Sequence, residues 1–229
     1  METNIDLSHY PILGGLFEPP GPGFGERVAR AREALAGRYP EAAALIERFQ
    51  EHLPLADLHA LEELHVRTYH IQAITTLDVG YTLFGEDYKR GALLAGLSRE
   101  HREVDNDCGS ELADHLPNVL RLMSKMRDPS ILEELVRVIV GPAVREMVRE
   151  FEPERIAKKE ELYKKHHKTL IEHAGSETRV AHRYLVEALY DVLKRDFGLR
   201  TSLPIEQEGS FERSLGTEMC VEGCAPSAQ

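Results

Sequence analysis

The segment SELADHLPNVLRLM places two carboxylates and an imidazole beside an apolar helical pattern. Glu111 and Asp114 are three residues apart, so both can lie at the first turn of a helix, where carboxylates cap free amides and favour the positive end of the helix dipole. With His115 they can instead border a groove floored by Leu116 and Leu120, which offers anionic acceptors beside an apolar surface. The first interpretation is purely structural, whereas the second predicts a site for a basic amphipathic peptide.

Other residues that could do chemistry lack the partners that the chemistry requires. Glu62 and His65 form one E-x-x-H pair, but helical di-iron sites use two copies, so we expect a position on a helix surface. Cys220 and Cys224 are weak metal candidates, because zinc sites take four ligands and no other Cys or His is near them in the sequence. No phosphate-binding loop or nucleophile elbow occurs. Acyl and phosphoryl transfer thus lack their usual sequence support, and we assign no catalytic residue and no resident cofactor from these motifs.

The elements that position these residues are predicted by composition to be helices. The 229 residues are 42% hydrophobic, with no Trp and many strong helix formers. A net charge of -11 would repel nucleic acid and anionic membranes. Glu2 and Asp6 stand where a signal peptide needs positive charge, and the first apolar run is too short for a membrane span. The odd count of three cysteines fits a reducing compartment. We expect a cytoplasmic protein that neither binds nucleic acid nor inserts into a membrane.

Helical periodicity recurs along the chain, and no alternating strand pattern appears. Apolar residues at i, i+3, i+4 and i+7 mark a helix over 42–49. A second run of apolar residues, over 132–147, keeps helical spacing across Pro142 and predicts a kinked helix there. The charged segment 153–173 indicates a solvated helix or an arm, and the last helix should end near Gly198. We expect an all-α, single-domain helical bundle over residues 1–200 and a disordered C-terminal tail over 201–229.

Three segments of the chain resemble a known family of proteins. They are YPILGGLFEPP near the N-terminus, ELHVRTYHIQAITTLDVGYTLFGEDYKRGALLAGLSREHRE in the centre, and ELADHLPNVL. Together they resemble the nitrate reductase delta-subunit, or NarJ, type of molybdoenzyme assembly chaperone, which is similar to the TorD and DmsD redox-enzyme maturation proteins. The part YTLFGEDYKRG of the central segment carries the most specific likeness.

The resemblance implies a helical chaperone that is not an enzyme. Members of the family bind the N-terminal segment of an apo molybdoenzyme catalytic subunit in the cytoplasm, and they assist insertion of the molybdenum cofactor and iron–sulfur cluster before the complex assembles. By the resemblance, Glu111, Asp114 and His115 match the family's client-binding loop, whose geometry Leu116 and Pro117 set.

The central segment is expected to supply groove walls from Tyr69, Tyr81 and Phe84 and one tight turn at Gly85. With Leu120, the expected client-peptide-binding residues are thus Glu111, Asp114, His115, Leu116, Pro117, Leu120, Tyr69, Tyr81 and Phe84. By the resemblance, the expected client is a nitrate reductase, a nitrite oxidoreductase or another enzyme of that superfamily. The alternatives are a helical metal-binding protein or enzyme that uses the histidines, and a stable adaptor subunit of the mature complex.

Overall fold

The computed structural model describes residues 6–167 and 176–199, which form helices and connecting turns without any β-strand. The predicted all-α fold is confirmed. The expected tail over 201–229, with Cys220 and Cys224, lies outside the described residues. The helices are α1 (His9–Gly14), α2 (Phe24–Ala36), α3 (Pro40–Glu51), α4 (Leu58–Tyr69), α5 (Val79–Phe84), α6 (Tyr88–Glu103), α7 (Leu116–Lys125), α8 (Pro129–Leu135), a π-helical segment (Val136–Val140), α9 (Gly141–Arg149), α10 (Pro153–His167), α11 (Ser176–Arg179) and α12 (Ala181–Phe197).

One apolar core joins these helices. α12 lies against α3 and α9, α3 also lies against α2, and α1 lies against α7. Side chains from each of these elements are fully or almost fully removed from solvent, including Tyr10, Phe49, Leu120, Met147 and Leu189. Burying apolar surface of this kind is the main favourable contribution to folding.

Local sequence explains where several helices begin and end. Asp57, Asp87 and Asp128 cap α4, α6 and α8, because each carboxylate accepts a hydrogen bond from a free amide of the first turn. Gly85 and Gly198 follow the last residues of α5 and α12 with φ values of 57° and 59°. Glycine adopts this region without steric cost, so the tight turn expected at Gly85 and the helix end expected at Gly198 are both present.

The helix that was predicted to cross Pro142 does cross it, and it does so through a π turn. The amide of Gly141 donates to the carbonyl of Val136, five residues earlier. Pro142 has no amide hydrogen and cannot continue the α-helical hydrogen bonding, so a π turn directly before it keeps the run from α8 to α9 helical. Gly141 also allows close packing, because a β-carbon there would lie 2.6 Å from Leu199 Cδ1.

A buried carboxylate ties the first helices to the last one. Asp196 of α12 accepts hydrogen bonds from Tyr10 Oη at 3.0 Å and Tyr39 Oη at 2.6 Å, and it lies 3.0 Å from both His9 Nε2 and Arg38 Nη2. Burial raises the pKa of Asp196, but the hydrogen bonds from His9, Tyr39 and Tyr10 outweigh burial and lower that pKa overall.

The charged helix α10 is solvated on one side only. Lys159 is buried, donates to the carbonyl of Ile74 and forms an ion pair with Glu150. Arg155 Nη1 bridges Glu146 at 2.7 Å and Glu150 at 2.6 Å. α10 therefore anchors the irregular segment at Ile74, a contact that the sequence pattern did not indicate.

Across residues 6–167 and 176–199, no helix combines the length and the apolar character that a membrane span requires.

Candidate functional site

The acidic segment lies in a loop, and that loop is joined to the one before α5. Glu111 and Asp114 precede α7, which begins only at Leu116, so the expectation that both carboxylates lie in its first turn is wrong. The amide of Val79 donates to the carbonyl of Asp114 at 3.0 Å, and the amide of Leu116 donates to the carbonyl of Leu77 at 2.8 Å. Two segments far apart in sequence are therefore held together by backbone hydrogen bonds, in the manner of a short antiparallel bridge.

A network of charged side chains crosses this bridge. Arg90 of α6 places Nε 3.1 Å from Asp114 Oδ2 and Nη2 2.8 Å from Asp78 Oδ2. His115 Nδ1 donates to Asp78 Oδ1 at 3.3 Å. The Arg90 guanidinium also lies over the ring of Tyr81, 5.1 Å from its centroid. One arginine thus forms ion pairs with two carboxylates and contacts an aromatic wall.

Burial and charge shift the two carboxylates of this network in opposite directions. Burial raises the pKa of Asp114, and the hydrogen bond from Arg90 only partly opposes it, so that pKa is raised overall. Burial also acts on Asp78, but the hydrogen bond from His115 and the charge of Arg90 lower the pKa of Asp78 overall. Asp114 has no solvent exposure, and within the described chain its Oδ1 has no hydrogen-bond partner.

The loop before α7 is held in place by a second, uncharged network. Asn118 Nδ2 donates to the carbonyls of Leu112 at 2.9 Å and Cys108 at 3.2 Å. His101 Nε2 donates to the carbonyl of Ala113 at 3.0 Å, and this leaves its Nδ1 to accept from Asn106 Nδ2 at 2.8 Å.

Asn106 and Asn118 are themselves joined, because Asn106 Nδ2 also donates to the Asn118 carbonyl at 3.1 Å. Burial lowers the pKa of His101, which fits the neutral tautomer that these bonds require. Asn118 and His101 therefore fix the loop at Cys108, Leu112 and Ala113, and Asn106 joins those two residues to each other.

Two side chains at the tip of this loop face solvent. Glu111 is exposed, and within the described residues it forms no ion pair. Leu112 is 50% exposed. We call this pair the Glu111/Leu112 tip. It combines one carboxylate with one apolar side chain.

Most of the other predicted contact residues are buried. Leu116 and Leu120 have no solvent exposure, so the expected groove floored by them is not present. Pro117 is also buried, in the first turn of α7, which packs against α1. These residues set the position of the loop from inside the core, since their apolar side chains pack under α1.

The aromatic residues predicted as groove walls have two different environments. Tyr81 and Phe84 of α5 are partly exposed. Tyr69 is 5% exposed and packs among histidines, with its ring 5.1 Å from the rings of His65 and His182. Only Tyr81 and Phe84 are thus available at a surface.

The buried histidine cluster around Tyr69 was not predicted, and His65 is not on a helix surface as expected. Burial, followed by the charges of His70 and His115, lowers the pKa of His65 to about 4. Burial and His65 lower the pKa of His182 to about 3. Both imidazoles are therefore neutral at pH 7. The sequence signal for this cluster is the spacing of His65 and Tyr69, which share one face of α4.

Among the described residues, no three His, Cys, Asp or Glu side chains come together as a metal site. Glu62 is exposed while His65 is buried, so this E-x-x-H pair does not converge. A comparison with protein-family models found no match, and a comparison with curated proteins found no match either.

Proposed function

We propose that the protein is an assembly chaperone that binds the N-terminal segment of the apo catalytic subunit of a molybdoenzyme in the cytoplasm. It would assist insertion of the molybdenum cofactor and iron–sulfur cluster before the complex assembles. The resemblance of the central segment and of ELADHLPNVL to the NarJ type of chaperone supports this proposal. The observation that carries it is the exposed Glu111/Leu112 tip on a loop that buried polar residues hold in one shape.

The chemistry of the tip suits a peptide that is both basic and apolar. The carboxylate of Glu111 can accept a charge-assisted hydrogen bond from Lys or Arg, which contributes about 1.5–3 kcal/mol, and Leu112 can pack against an apolar side chain. Asp105 and Asp107 on the same loop are also exposed and add negative charge. A few such contacts reach the roughly 8 kcal/mol of micromolar binding. Affinity in that range allows release when the client folds around its cofactors.

The rigidity of the loop favours reversible binding by preorganisation. A loop that is already ordered loses little conformational entropy when a peptide binds, so fewer contacts are needed. In this proposal Asp114 and His115 do not touch the client. They hold the loop against α6 through Arg90 and Asp78, and Tyr81 and Phe84 supply the nearby partly exposed aromatic surface.

The experiment that tests the proposal is affinity purification of the protein from its native cells under reducing conditions, with molybdenum measured in whatever binds. Recovery of a large catalytic subunit that lacks molybdenum is expected. Recovery of the finished, molybdenum-loaded complex with the protein as a permanent component would show that the protein is an adaptor subunit and not a chaperone. Stoichiometric metal on the protein itself and no bound subunit would favour the metal-dependent alternative.

The proposed contact surface is tested with the recovered client's N-terminal peptide. Glu111→Lys should weaken its binding at least tenfold, because the peptide's basic side chains would then meet a like charge. Glu134→Lys, an equal charge change at an exposed position of α8, is the matched control and should leave the affinity unchanged. Equal affinities of the two variants would show that the tip is not the peptide site.

A further inference from the structure

A cavity of about 180 Å³ lies beside α4, away from the Glu111/Leu112 tip. Its α4 side carries Ala60, Leu64 and Thr68, which are four residues apart and share one helix face. Ile74 from the following loop lines it as well, and α11 closes another side with Arg179. Leu64, Thr68 and Ile74 are all buried, so the cavity has a largely apolar floor.

Two arginines border this apolar floor. Arg67 forms an ion pair with Glu63, and Arg179 forms one with Glu160 through Nη2. The Nε atom of Arg179 is buried, and it has no hydrogen-bond acceptor among the described residues. Buried donors in folded proteins are nearly always paired, and a guanidinium offers five N–H groups. The rest of this guanidinium is paired with Glu160 and the side chain is 20% exposed, so Nε is its one buried donor without an acceptor in the described chain. A buried Nε–H of this kind at a cavity indicates a ligand that supplies an acceptor.

The size of the cavity limits the apolar part of that ligand. An apolar cavity of about 150 Å³ holds one benzene molecule, so this one holds a single ring or a branched aliphatic group. A carboxylate matches the planar, charged donor face of an arginine. We propose that the cavity binds a carboxylate carried by an apolar group of about phenyl size, with Arg179 donating to the carboxylate and Leu64 and Ile74 contacting the apolar group. This site uses none of the residues on which the chaperone proposal depends.

Two sources could present this chemistry, a free arylalkanoate or the C-terminal Phe or Leu of a peptide. Isothermal titration of the full chain with 3-phenylpropionate and with its neutral amide tests the shared chemistry. The acid should bind at least tenfold more tightly than the amide. Acetyl-Gly-Phe with a free carboxylate then separates the sources, since tighter binding than 3-phenylpropionate assigns a peptide C-terminus and weaker binding assigns a free acid. Absence of binding by both acids at millimolar concentration, or equal binding of acid and amide, would overturn the proposal.

Three variants locate the binding. Arg179→Gln removes the positive charge that we assign to the ligand's carboxylate and should weaken acid binding at least tenfold. Ala60→Phe should abolish binding of every ligand by filling the space. Arg183→Gln is the matched control, because Arg183 pairs with Glu187 on the surface of α12 and does not line the cavity. Circular dichroism verifies that each variant is folded. If one of the two test variants does not fold, the other still tests the assignment. Unchanged affinity in a folded Arg179→Gln or Ala60→Phe protein would contradict the assignment.

Discussion

The carboxylate of Asp114 fits against Gly80 because that residue has no side chain. A β-carbon at position 80 would lie 2.7 Å from Asp114 Oδ2 and 3.0 Å from Leu93 Cδ2. The first of these distances is shorter than any relaxed contact, and the carboxylate cannot move away without losing its bond to Arg90. The charged network and the bridge between the two loops therefore depend on a glycine in α5.

Gly80→Ala should destabilise the protein by about 1–3 kcal/mol, since overpacking would displace the Asp114 carboxylate. Chemical denaturation measures the free energy of unfolding. Gly91→Ala is the control, because a β-carbon there would meet nothing within 4 Å. That second substitution lies inside α6 and should stabilise the protein by about 0.5–1 kcal/mol. An equal effect of the two substitutions would show that the Asp114 contact does not constrain position 80.

Arg90→Met should cost about 3–5 kcal/mol of unfolding free energy, because it leaves the Asp114 carboxylate buried without a counter-charge. Adding Asp114→Asn to this variant removes the buried charge and should recover part of the loss. Arg99→Met changes a solvent-exposed arginine of the same helix and should alter stability by less than about 0.5 kcal/mol. A double-mutant cycle measures the coupling, and additive effects of the two substitutions would contradict the proposed network.

Asn118→Ala should release the loop that carries the Glu111/Leu112 tip. The substitution removes the donor to the carbonyls of Cys108 and Leu112, and each unpaired buried group costs about 1–3 kcal/mol. Cleavage by a Glu-specific protease at Glu111 should accelerate, because proteolysis follows the population of locally opened states. Ser110→Ala, at an exposed position of the same loop, should cleave at the rate of the unchanged protein. Equal rates for both variants would mean that Asn118 does not hold the loop.

Acid should destabilise the protein through His65 and His182. Their pKa values of about 4 and about 3 lie below the ordinary value of 6.5, because burial disfavours the charged imidazole. Below pH 6.5 the unfolded chain therefore binds protons that the folded chain does not, and the free energy of unfolding falls as the pH decreases. The slope is about 1.4 kcal/mol per pH unit for each histidine until the pH approaches its folded pKa.

Replacing one of the two imidazoles isolates this effect. His182→Phe should lower the slope of unfolding free energy against pH between pH 6 and 4.5 by about 1.4 kcal/mol per pH unit, the contribution of one buried histidine, whereas His59→Ala, at an exposed position, should leave the slope unchanged. Denaturant titrations at a series of pH values measure both slopes. An unaltered slope in His182→Phe would assign the acid sensitivity to other groups.

Helix positions could be predicted from the sequence because their signals are local. The apolar spacing before and after Pro142 and the glycines at positions 85 and 198 act over a few residues, and the structure contains the expected features. The π turn before Pro142 has no distinct signal, since its hydrogen bonding differs from that of an α-helix by one residue.

The environment of the acidic segment could not be predicted, because it depends on partners far along the chain. Asp114 contacts Arg90, which is 24 residues earlier, and nothing in the spacing ELADHL indicates that pairing. Leu116 and Leu120 have the pattern of a helix face, but a pattern does not tell whether α1 or a client covers that face. The sequence thus indicated that this segment carries candidate site residues. Only the tertiary contacts show that Glu111 is at the surface and Asp114 is in the interior.

The side chains that fasten the loop before α7 are not the side chains of its exposed tip. Asn118 and His101 bond the loop backbone at Cys108, Leu112 and Ala113, and Asn106 joins Asn118 to His101. Substitutions at Glu111 and Leu112 should therefore leave the fold of the loop intact. If the tip contacts the client as we propose, it can diversify as an antibody loop does on its framework, and as few as two replacements would change the binding partner without a redesigned core.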